Sequence, residues 1–392
     1  MTETVSPEVS TPAQEMSQRI SQFFGGGACF LLAKGRVGLY AGLRALDLPR
    51  GSKVLMPGYT CMVVPSAVQF AGLTPVYVDI DPKTYNLNPA LLDAAAPPDA
   101  TAIIVQHTYG IPCEMAAIEA WASGRKVTII EDSCHAFGSR VNDRLCGTFG
   151  AFSFMSGQWN KPFSTGLGGM LLVNEPALAK RIARLMDLEA KRPGWFANAV
   201  LMGQIAAHDV LVRPSTVMML TALYRALNRM GLMVGSSTAG ELRGVMPAKY
   251  LSTMAACQIR RGIGELARIE ANIRHRTDLT NYYDRELPPI GFTPLNITGA
   301  ETFPLLRYPL RVSNKAEVLR RAAGSGVEIG SWFEIPLHPA GTHMEDFGYR
   351  QGMCPESERA CRETINLPAH LGVSRRTADK VLTFLRRYAV PA

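Results

Sequence analysis

Two segments of the chain place an ionisable side chain where it could take part in chemistry. Asp132 follows the apolar run 127–130 and Glu131, so it stands at the end of a predicted buried strand, where a carboxylate must be solvated, paired or used. Lys161 lies in an apolar, aromatic and glycine-rich stretch between two predicted strands. Burial there would lower the pKa of the amine and make it a better Schiff-base nucleophile. Asp132 could instead cap a helix, and Lys161 could extend from a loop to water.

A third segment could bind an anion. Gly35 and Arg36 open a predicted apolar helix, and the backbone N–H groups at such a helix start can bind a phosphate. An ordinary helix cap is the alternative interpretation.

The elements between these residues alternate between strand and helix from residue 51 to residue 173. Continuous apolar runs predict strands at 53–57, 74–78, 101–105 and 126–130, with helices at 64–71 and 115–121 between them. This alternation predicts an α/β fold with a mostly parallel sheet. Active sites of such sheets form at the carboxyl ends of the strands, which is where Asp132 stands.

The composition changes after Pro288. A long helix is predicted from about Met254 to Leu287, followed by strands at 305–312 and 326–329 and a closing amphipathic helix at 374–388. We therefore predict a flexible tail at 1–20, a large α/β domain at 21–287 and a smaller α+β domain at 288–392.

Composition and charge narrow the function classes. The net charge of +8 comes without a zinc-finger or RNA-binding motif, so nucleic acid is disfavoured, while an anionic small substrate or membrane surface is compatible with it. The eight cysteines form no CxxC pair, which favours reduced thiols in a cytoplasmic protein over disulfides or a metal site. The first 14 residues contain no apolar core of a secretory signal.

In their order, these segments resemble the DegT/DnrJ/StrS family of sugar aminotransferases, over nearly the whole chain. The resemblance is carried by residues 71–82 (AGLTPVYVDIDP), 84–89 (TYNLNP), 107–110 (HTYG) and 130–132 (IED), and by a serine at 156, five residues before Lys161. Residues 335–338 (IPLH) and 365–368 (INLP) also resemble signatures of the family's small domain.

The resemblance implies fold type I of the enzymes that use pyridoxal 5′-phosphate (PLP), with a mostly parallel sheet between helices and a smaller C-terminal α+β domain. Lys161 would bind the cofactor and later carry a proton between substrate and cofactor. Asp132 would pair with the pyridine nitrogen, and Gly35, Arg36 and Ser156 would bind the phosphate.

Three cofactor-binding positions differ from the usual family residue. His135 replaces a glutamine near the cofactor ring, and Arg36 replaces a threonine. Arg243 stands where an asparagine of the partner subunit commonly reaches the phosphate. These changes are compatible with PLP, and they leave the substrate undetermined.

A fourth position concerns the face of the cofactor ring. Cys61 stands where many members place an aromatic residue that stacks on the ring. We expect Cys61 to border the cofactor, with Tyr59 or His107 as substitutes for the missing aromatic ring.

An apolar insertion at about 191–240 does not fit the family pattern. Within it, Ser215–Gly235 has an apolar helical stripe and two arginines, whose insertion into a membrane would cost about 5–7 kcal/mol. A transmembrane span is therefore disfavoured. The segment could form a helix buried at a dimer interface or over the active site, or a helix lying on an anionic membrane.

The resemblance implies a homodimeric, PLP-dependent aminotransferase, which the cysteine pattern places in the cytoplasm, with peripheral contact at the inner face of the membrane if Ser215–Gly235 binds lipid. The expected reaction converts a nucleotide-linked keto-sugar into an amino sugar with glutamate as donor, in surface-polysaccharide, glycolipid or secondary-metabolite biosynthesis. One alternative is a PLP-dependent sugar dehydratase, which Lys161 disfavours because similar dehydratases have histidine there. The other is a non-catalytic regulatory or scaffold protein.

Overall fold

A seven-stranded sheet organises this computed structural model, which describes residues 10–211, 234–235, 237–238, 240–295 and 304–392. The strands are β1 (Ala28–Leu32), β2 (Lys53–Pro57), β3 (Thr60–Cys61), β4 (Thr74–Val78), β5 (Ala100–Gln106), β6 (Thr128–Asp132), β7 (Arg140–Val141), β8 (Arg144–Leu145), β9 (Phe152–Gln158), β10 (Leu167–Val173), β11 (Arg307–Arg311), β12 (Leu337–His338) and β13 (Thr364–Pro368). In the large sheet the strand order is β1-β10-β9-β6-β5-β2-β4. Strands β9, β6, β5, β2 and β4 run parallel, while β10 is antiparallel to both of its neighbours.

Helices cover both faces of this sheet. They are α1 (Pro12–Phe23), α2 (Gly35–Leu46), α3 (Val63–Phe70), α4 (Leu92–Ala95), α5 (Met115–Arg125), α6 (Pro176–Glu189), α7 (Trp195–Leu211), α8 (Ala256–Leu266), α9 (Ile269–Glu286), α10 (Lys315–Ala322), α11 (Pro355–Glu363) and α12 (Arg375–Tyr388). Ile103 and Val105 of β5 pack on α4 and α5, whereas Ile104 packs in the core on the side of α2, α3 and α6. Because successive residues of a strand face opposite layers, an uninterrupted apolar run is what a doubly covered strand requires. The predicted α/β fold with a mostly parallel sheet is confirmed.

The C-terminal part adds a two-stranded antiparallel sheet, β11 with β13, and the helices α10, α11 and α12. Its core is continuous with residues from the N-terminal half, since Tyr59 and Tyr109 belong to the same apolar cluster as Leu367 and Leu385. A domain boundary near residue 288 therefore stays a prediction.

The flexible tail predicted at 1–20 is wrong from residue 12 onward. Helix α1 begins there, with a capping box in which Thr11 and Gln14 bond each other's backbone N–H groups. Met16 and Ile20 are fully buried, four residues apart on one face of the helix. The polar residues before them concealed this short apolar stripe. Residues 1–9 lie outside the described part.

Two further expectations need correction. The long helix predicted at 254–287 is divided into α8 and α9, with Ala267 and Arg268 between them. The strand predicted at 326–329 is absent, because Gly324 and Gly326 have positive φ angles and form a turn, and only Gly330 makes a bridge, to Asn366. Within the described residues, no helix is long and apolar enough to cross a membrane.

Candidate active site

Asp132 ends β6 at the carboxyl edge of the parallel strands and is 5% exposed. In the sheet it lies beside Gln106 of β5 and Phe154 of β9. The backbone N–H of Cys134 donates to Asp132 Oδ1 at 3.0 Å. Burial raises the pKa of Asp132, while the hydrogen bonds from Cys134 and the charge of Lys161 act against that shift. The hydrogen bonds and charges around the carboxylate therefore do not fully offset the cost of burying its charged form. A cationic or N–H partner would stabilise that form.

Lys161 lies in the loop between β9 and β10, in a turn closed by its backbone N–H, which donates to the carbonyl of Gln158 at 2.9 Å. The residue is 8% exposed, and its Nζ lies 4.7 Å from the ring centroid of Trp332. Burial lowers the pKa of Lys161, which favours the neutral amine, and the charge of Asp132 acts in the opposite direction. The Trp332 ring that contacts Lys161 Nζ also lies 4.9 Å from the ring of His135, three residues after Asp132, so the structure places Lys161 and Asp132 in the same region at the end of β6. Their catalytic roles stay predictions.

The start of α2 lies against β9 and β10. A Cβ atom on Gly35 would come within 2.8 Å of the carbonyl oxygen of Met155 and 3.2 Å of Ser156 Cα, and one on Gly169 would lie 2.2 Å from the backbone nitrogen of Gly35. Glycine is therefore required on both sides of this contact. Lys34, the N-cap residue, makes no side-chain cap. The first N–H groups of α2 thus adjoin Ser156, an arrangement that suits a phosphate.

Arg36 points from this helix start toward a short 3-10 turn at Glu241–Arg243. Its Nη1 donates to Glu241 Oε1 at 2.7 Å and its Nη2 donates to Ser237 Oγ at 3.0 Å. The backbone N–H of Thr238 donates to the other oxygen of Glu241 at 2.8 Å. Arg36, predicted to bind phosphate, thus takes part in a nearly buried ion pair. Arg243, on the same turn, is exposed. Phosphate contacts of Arg36 and Arg243 stay predictions.

Cys61 ends β3, which pairs in parallel with β12 so that Cys61 lies opposite His338. Burial raises the pKa of the Cys61 thiol, and the charges of Arg36, Lys161 and Asp132 all bear on it. The thiol is therefore neutral at physiological pH. The predicted contact with the cofactor ring stays a prediction.

His135 contributes a neutral ring to the same pocket. The backbone N–H of Tyr109 donates to His135 Nδ1 at 3.1 Å, so the proton of the neutral imidazole sits on Nε2. Burial lowers the pKa of His135 well below its usual value, and the charges of Lys161 and Arg307 act in the same direction. Its ring centroid lies 4.9 Å from that of Trp332. His135 can thus donate one hydrogen bond from Nε2.

Tyr59 is not available as a substitute stacking ring. It is fully buried, its hydroxyl lies 2.7 Å from that of Tyr109, and its ring packs edge-on against Phe333 at 4.9 Å. This interior position follows from the apolar cluster that joins the sheet to the C-terminal part. The expectation for Tyr59 is therefore wrong.

His107 is also excluded as a stacking ring. It is fully buried, the N–H of Cys113 donates to its Nδ1 at 3.1 Å, and its Nε2 lies 3.0 Å from Glu131 Oε2. With Nδ1 accepting, Nε2 carries the proton and donates it to Glu131. Both ring nitrogens are thus used inside the protein, and the expectation for His107 is wrong.

Glu131 makes a closed network next to the site. Besides the His107 bond, the backbone N–H groups of Gly147, Phe149 and Gly150 donate to its two oxygens at 2.7, 2.6 and 2.9 Å. Each carboxylate oxygen therefore accepts two hydrogen bonds, and the residue is fully buried. Glu131 has a structural role, in contrast to Asp132 one position later.

Sequence reasoning missed two residues of the pocket. Trp332 stands beside Lys161, and it precedes the IPLH motif at 335–338 by three residues, which was the available signal. Arg307 lies over the same indole ring, with its Cζ 5.6 Å from the centroid. Its signal was a cation inside the apolar run predicted as a strand at 305–312.

Comparison with known proteins agrees with the resemblance of the sequence motifs. The model of the DegT/DnrJ/EryC1/StrS aminotransferase family matches residues 10–201 and 220–386. The UDP-2-acetamido-2-deoxy-3-oxo-D-glucuronate aminotransferase of Pseudomonas aeruginosa is 26% identical over 369 residues, covering 93% of this chain and 86% of that protein. The L-glutamine:2-deoxy-scyllo-inosose aminotransferase of Micromonospora echinospora is 35% identical over 165 residues, and this match spans 42% of the chain and only 39% of that relative.

Among solved structures, a DegT DnrJ EryC1 StrS aminotransferase from Brucella abortus superimposes with a TM-score of 0.75. The superposition covers 97% of this chain and 90% of that one, at 20% sequence identity. At this identity the similarity concerns the fold, and it confirms the predicted fold class.

Proposed function

The chain belongs to the DegT/DnrJ/EryC1/StrS aminotransferase family, whose enzymes use PLP, and from this premise we propose that it converts a nucleotide-linked keto-sugar into an amino sugar. We further propose glutamate as the amino donor and a place in surface-polysaccharide, glycolipid or secondary-metabolite biosynthesis. Support comes from relatives whose names specify amino transfer to sugar or cyclitol ketones.

One arrangement carries the assignment of the site: Lys161 Nζ lies 4.7 Å from the Trp332 ring, which lies 4.9 Å from the ring of His135, three residues after Asp132 at the end of β6. Lys161 and Asp132 are both nearly buried, and the charge of each acts on the pKa of the other. The residues present fit PLP. Asp132 offers a carboxylate to a pyridine nitrogen, Lys161 offers an amine to an aldehyde, and the start of α2 with Ser156 offers N–H and hydroxyl groups to a phosphate.

When bound, PLP supplies an aldehyde and a ring that accepts electrons from the substrate α-carbon. Lys161 serves this chemistry as a neutral amine, because burial lowers its pKa. From its position it takes the proton from the donor's α-carbon, and it returns a proton at the sugar carbon in the second half of the reaction. Asp132, as an anion, keeps a proton on the ring nitrogen. His135 Nε2–H is placed to donate to an oxygen of the ring or substrate.

The experiment incubates the PLP-loaded protein with L-glutamate and a panel of nucleotide-linked 3-keto and 4-keto sugars, and follows conversion of ketone to amine by mass spectrometry. Wild type and Lys83→Ala, which removes an exposed lysine, should form product, whereas Lys161→Ala should not. If no keto-sugar of the panel is aminated by the wild type, the proposal is wrong. Equal product from Lys161→Ala would refute the role of that lysine.

A homodimer in the cytoplasm is part of the proposal. The exposed position of Arg243 supports it, because an exposed side chain on the turn beside the α2 start can reach a second copy. Equilibrium sedimentation should give twice the chain mass. A monomeric, fully active protein would contradict it.

The segment Ser215–Gly235, for which we predicted a buried helix or a membrane contact, lies outside the described residues except for its last two positions. The described helix before it, α7, exposes Trp195 and Phe196 at 83% and 66%, which supports a contact with another surface. Co-sedimentation with anionic liposomes tests the membrane version by comparing wild type with a Leu220→Asp/Leu227→Asp variant. Equal sedimentation of the two would reject it.

A further inference from the structure

Arg307 stands at the first position of β11, where the chain enters the pocket from the C-terminal part. Arg276 of α9 fixes the residues just before it, since its Nη1 donates to the carbonyl oxygens of Leu305 and Leu306, both at 3.0 Å. Within β11, Arg307 is opposite Pro368 of β13. The backbone that carries the Arg307 side chain is therefore held on both sides.

One indole ring connects Arg307 to the amine of the site. The Arg307 guanidinium carbon lies 5.6 Å from the centroid of Trp332, and Lys161 Nζ lies 4.7 Å from the same centroid. The backbone N–H of Trp332 donates to Asn366 Oδ1 at 2.7 Å, which holds the backbone that carries the ring. The two cations thus contact the same indole ring.

No carboxylate forms an ion pair with Arg307 in the part of the chain that the structure describes. The charge of Glu328 raises the pKa of Arg307. However, the Glu328 carboxylate lies 2.9 Å from His370 Nε2, with which it forms a hydrogen bond. Arg311, four positions along the same strand, differs, because its Nη1 lies 3.4 Å from Glu363. A guanidinium so placed is a strong bidentate partner for a carboxylate ligand.

Apart from Glu328, which pairs with His370, the described titratable groups near Arg307 supply no negative charge to pair with it. Burial lowers the pKa of Arg307, of His135 and of His338, the last to about 4, so both imidazoles are neutral at physiological pH. The charge of Arg307 also lowers the pKa of Lys161, in the same direction as burial. Asp132, whose charge acts on the pKa of Lys161, is the partner proposed for the cofactor ring. A ligand carboxylate would complete the charge balance.

We propose that Arg307 binds a carboxylate of the substrate beside Lys161, so that one of the two substrates is an acid. The proposal rests on the proposed function. An amino donor held by its α-carboxylate and an acidic sugar are the two sources of that carboxylate. In either case Arg307 determines specificity by binding, without taking part in proton transfer.

The test uses the PLP-loaded protein and reads the absorbance of its bound cofactor while unreactive ligands are added. Glutarate stands for the amino donor and D-glucuronate for an acidic sugar, with glutaramide and D-glucose as their neutral counterparts. The variants are Arg307→Met, Arg307→Lys, which keeps the charge, and Arg320→Met, which removes an exposed arginine of α10. An unchanged cofactor spectrum in Arg307→Met shows that the site has folded.

Wild type and Arg320→Met should bind at least one of the two acids, and Arg307→Met should bind it about 10- to 100-fold more weakly, the size of a lost charged hydrogen-bond pair. Arg307→Lys should fall between them, and the neutral ligands should show no dependence on residue 307. Dependence with glutarate assigns the donor, and dependence with glucuronate assigns the sugar. If Arg307→Met binds both acids as wild type does, or wild type binds neither, the inference is wrong. Since only binding is measured, failure to aminate any keto-sugar would refute the proposed function and leave this result standing.

Discussion

Glu131 and Asp132 are neighbours in β6, yet they belong to two regions with opposite properties. The closed network around Glu131 supplies four hydrogen bonds to two oxygens, from His107 and from the loop at 147–150. Around Asp132, in contrast, the described hydrogen bonds to the carboxylate come from Cys134 alone. An ionised carboxylate has about four acceptor sites. The hydrogen bonds to Glu131 fill its acceptor sites, as expected of a structural residue, whereas Asp132 has acceptor sites left that a ligand could use.

The largest expected effect concerns Asp132 and activity. Asp132→Asn keeps the acceptor for the Cys134 N–H and removes the negative charge proposed to face the ring nitrogen. Turnover should fall by about 10²- to 10³-fold, the usual size of such an electrostatic loss. At low pH, where Asp132 is protonated, the stability of the cofactor-free protein should change by less than about 1 kcal/mol, because the variant keeps the acceptor for the Cys134 N–H. Steady-state kinetics and urea unfolding measure the two quantities, and an unimpaired turnover would remove Asp132 from the mechanism.

Glu131→Gln should show the reverse pattern. An amide NH₂ would face two of the N–H donors that now bond the carboxylate, so two charged hydrogen bonds are lost and the free energy of unfolding should fall by about 3 kcal/mol. Urea unfolding of the cofactor-free protein measures this loss. Activity of the molecules that remain folded should stay within a few-fold of wild type. A variant as stable as wild type would abolish the contrast between the two regions.

A pH dependence separates the two regions further. Because burial raises the pKa of Asp132 in the folded state, the wild type carries a penalty that is absent below the unfolded value of about 3.9 and develops as pH rises through the raised folded value. Asp132→Asn has no such penalty. The difference in unfolding free energy between variant and wild type should therefore grow in favour of the variant as the pH rises above about 4, and it should level off once the pH exceeds the raised pKa of Asp132. A difference independent of pH would contradict the raised pKa.

A small change in cofactor affinity is expected from the ion pair of Arg36 with Glu241. Arg36 forms this nearly buried pair, although the sequence predicted that it contacts the phosphate. Glu241→Gln removes the acid that engages Arg36 beside the α2 start. PLP should then bind about five-fold more tightly, because a negative charge near its phosphate has gone. Fluorescence titration of the cofactor-free protein measures the affinity, with Glu189→Gln, which alters an exposed Arg–Glu pair, as control. Unchanged affinity would leave Arg36 a structural role alone.

Much of the fold was predictable because its strands are buried on both faces. The apolar run at 74–78 coincides with β4, and those at 101–105 and 126–130 fall within two residues of β5 and β6. Helix α1 was not predicted, because the residues before it are polar and its buried apolar residues are only Met16 and Ile20. Two apolar residues four positions apart are too few to establish a helical periodicity.

The candidate site was predictable where a motif fixed the position, as for Lys161 and Asp132. The hydrogen-bond partners of the site residues could not be predicted, because they lie far away in sequence. Arg36 bonds to Glu241, and His107 bonds to Glu131. Arg307 was overlooked for the same reason, since its place over Trp332 arises only when β11 is set against the sheet.

We propose above all that the amine of Lys161 binds the cofactor. Reduction of the PLP-loaded protein with borohydride, followed by digestion and mass spectrometry, locates the lysine that has become covalently bonded to the cofactor. The strongest competitor is Lys34, next to the α2 start, because burial and the charge of Arg36 lower its pKa to about 8. We predict the label on Lys161 alone, and a label on Lys34 or on no lysine would contradict the account.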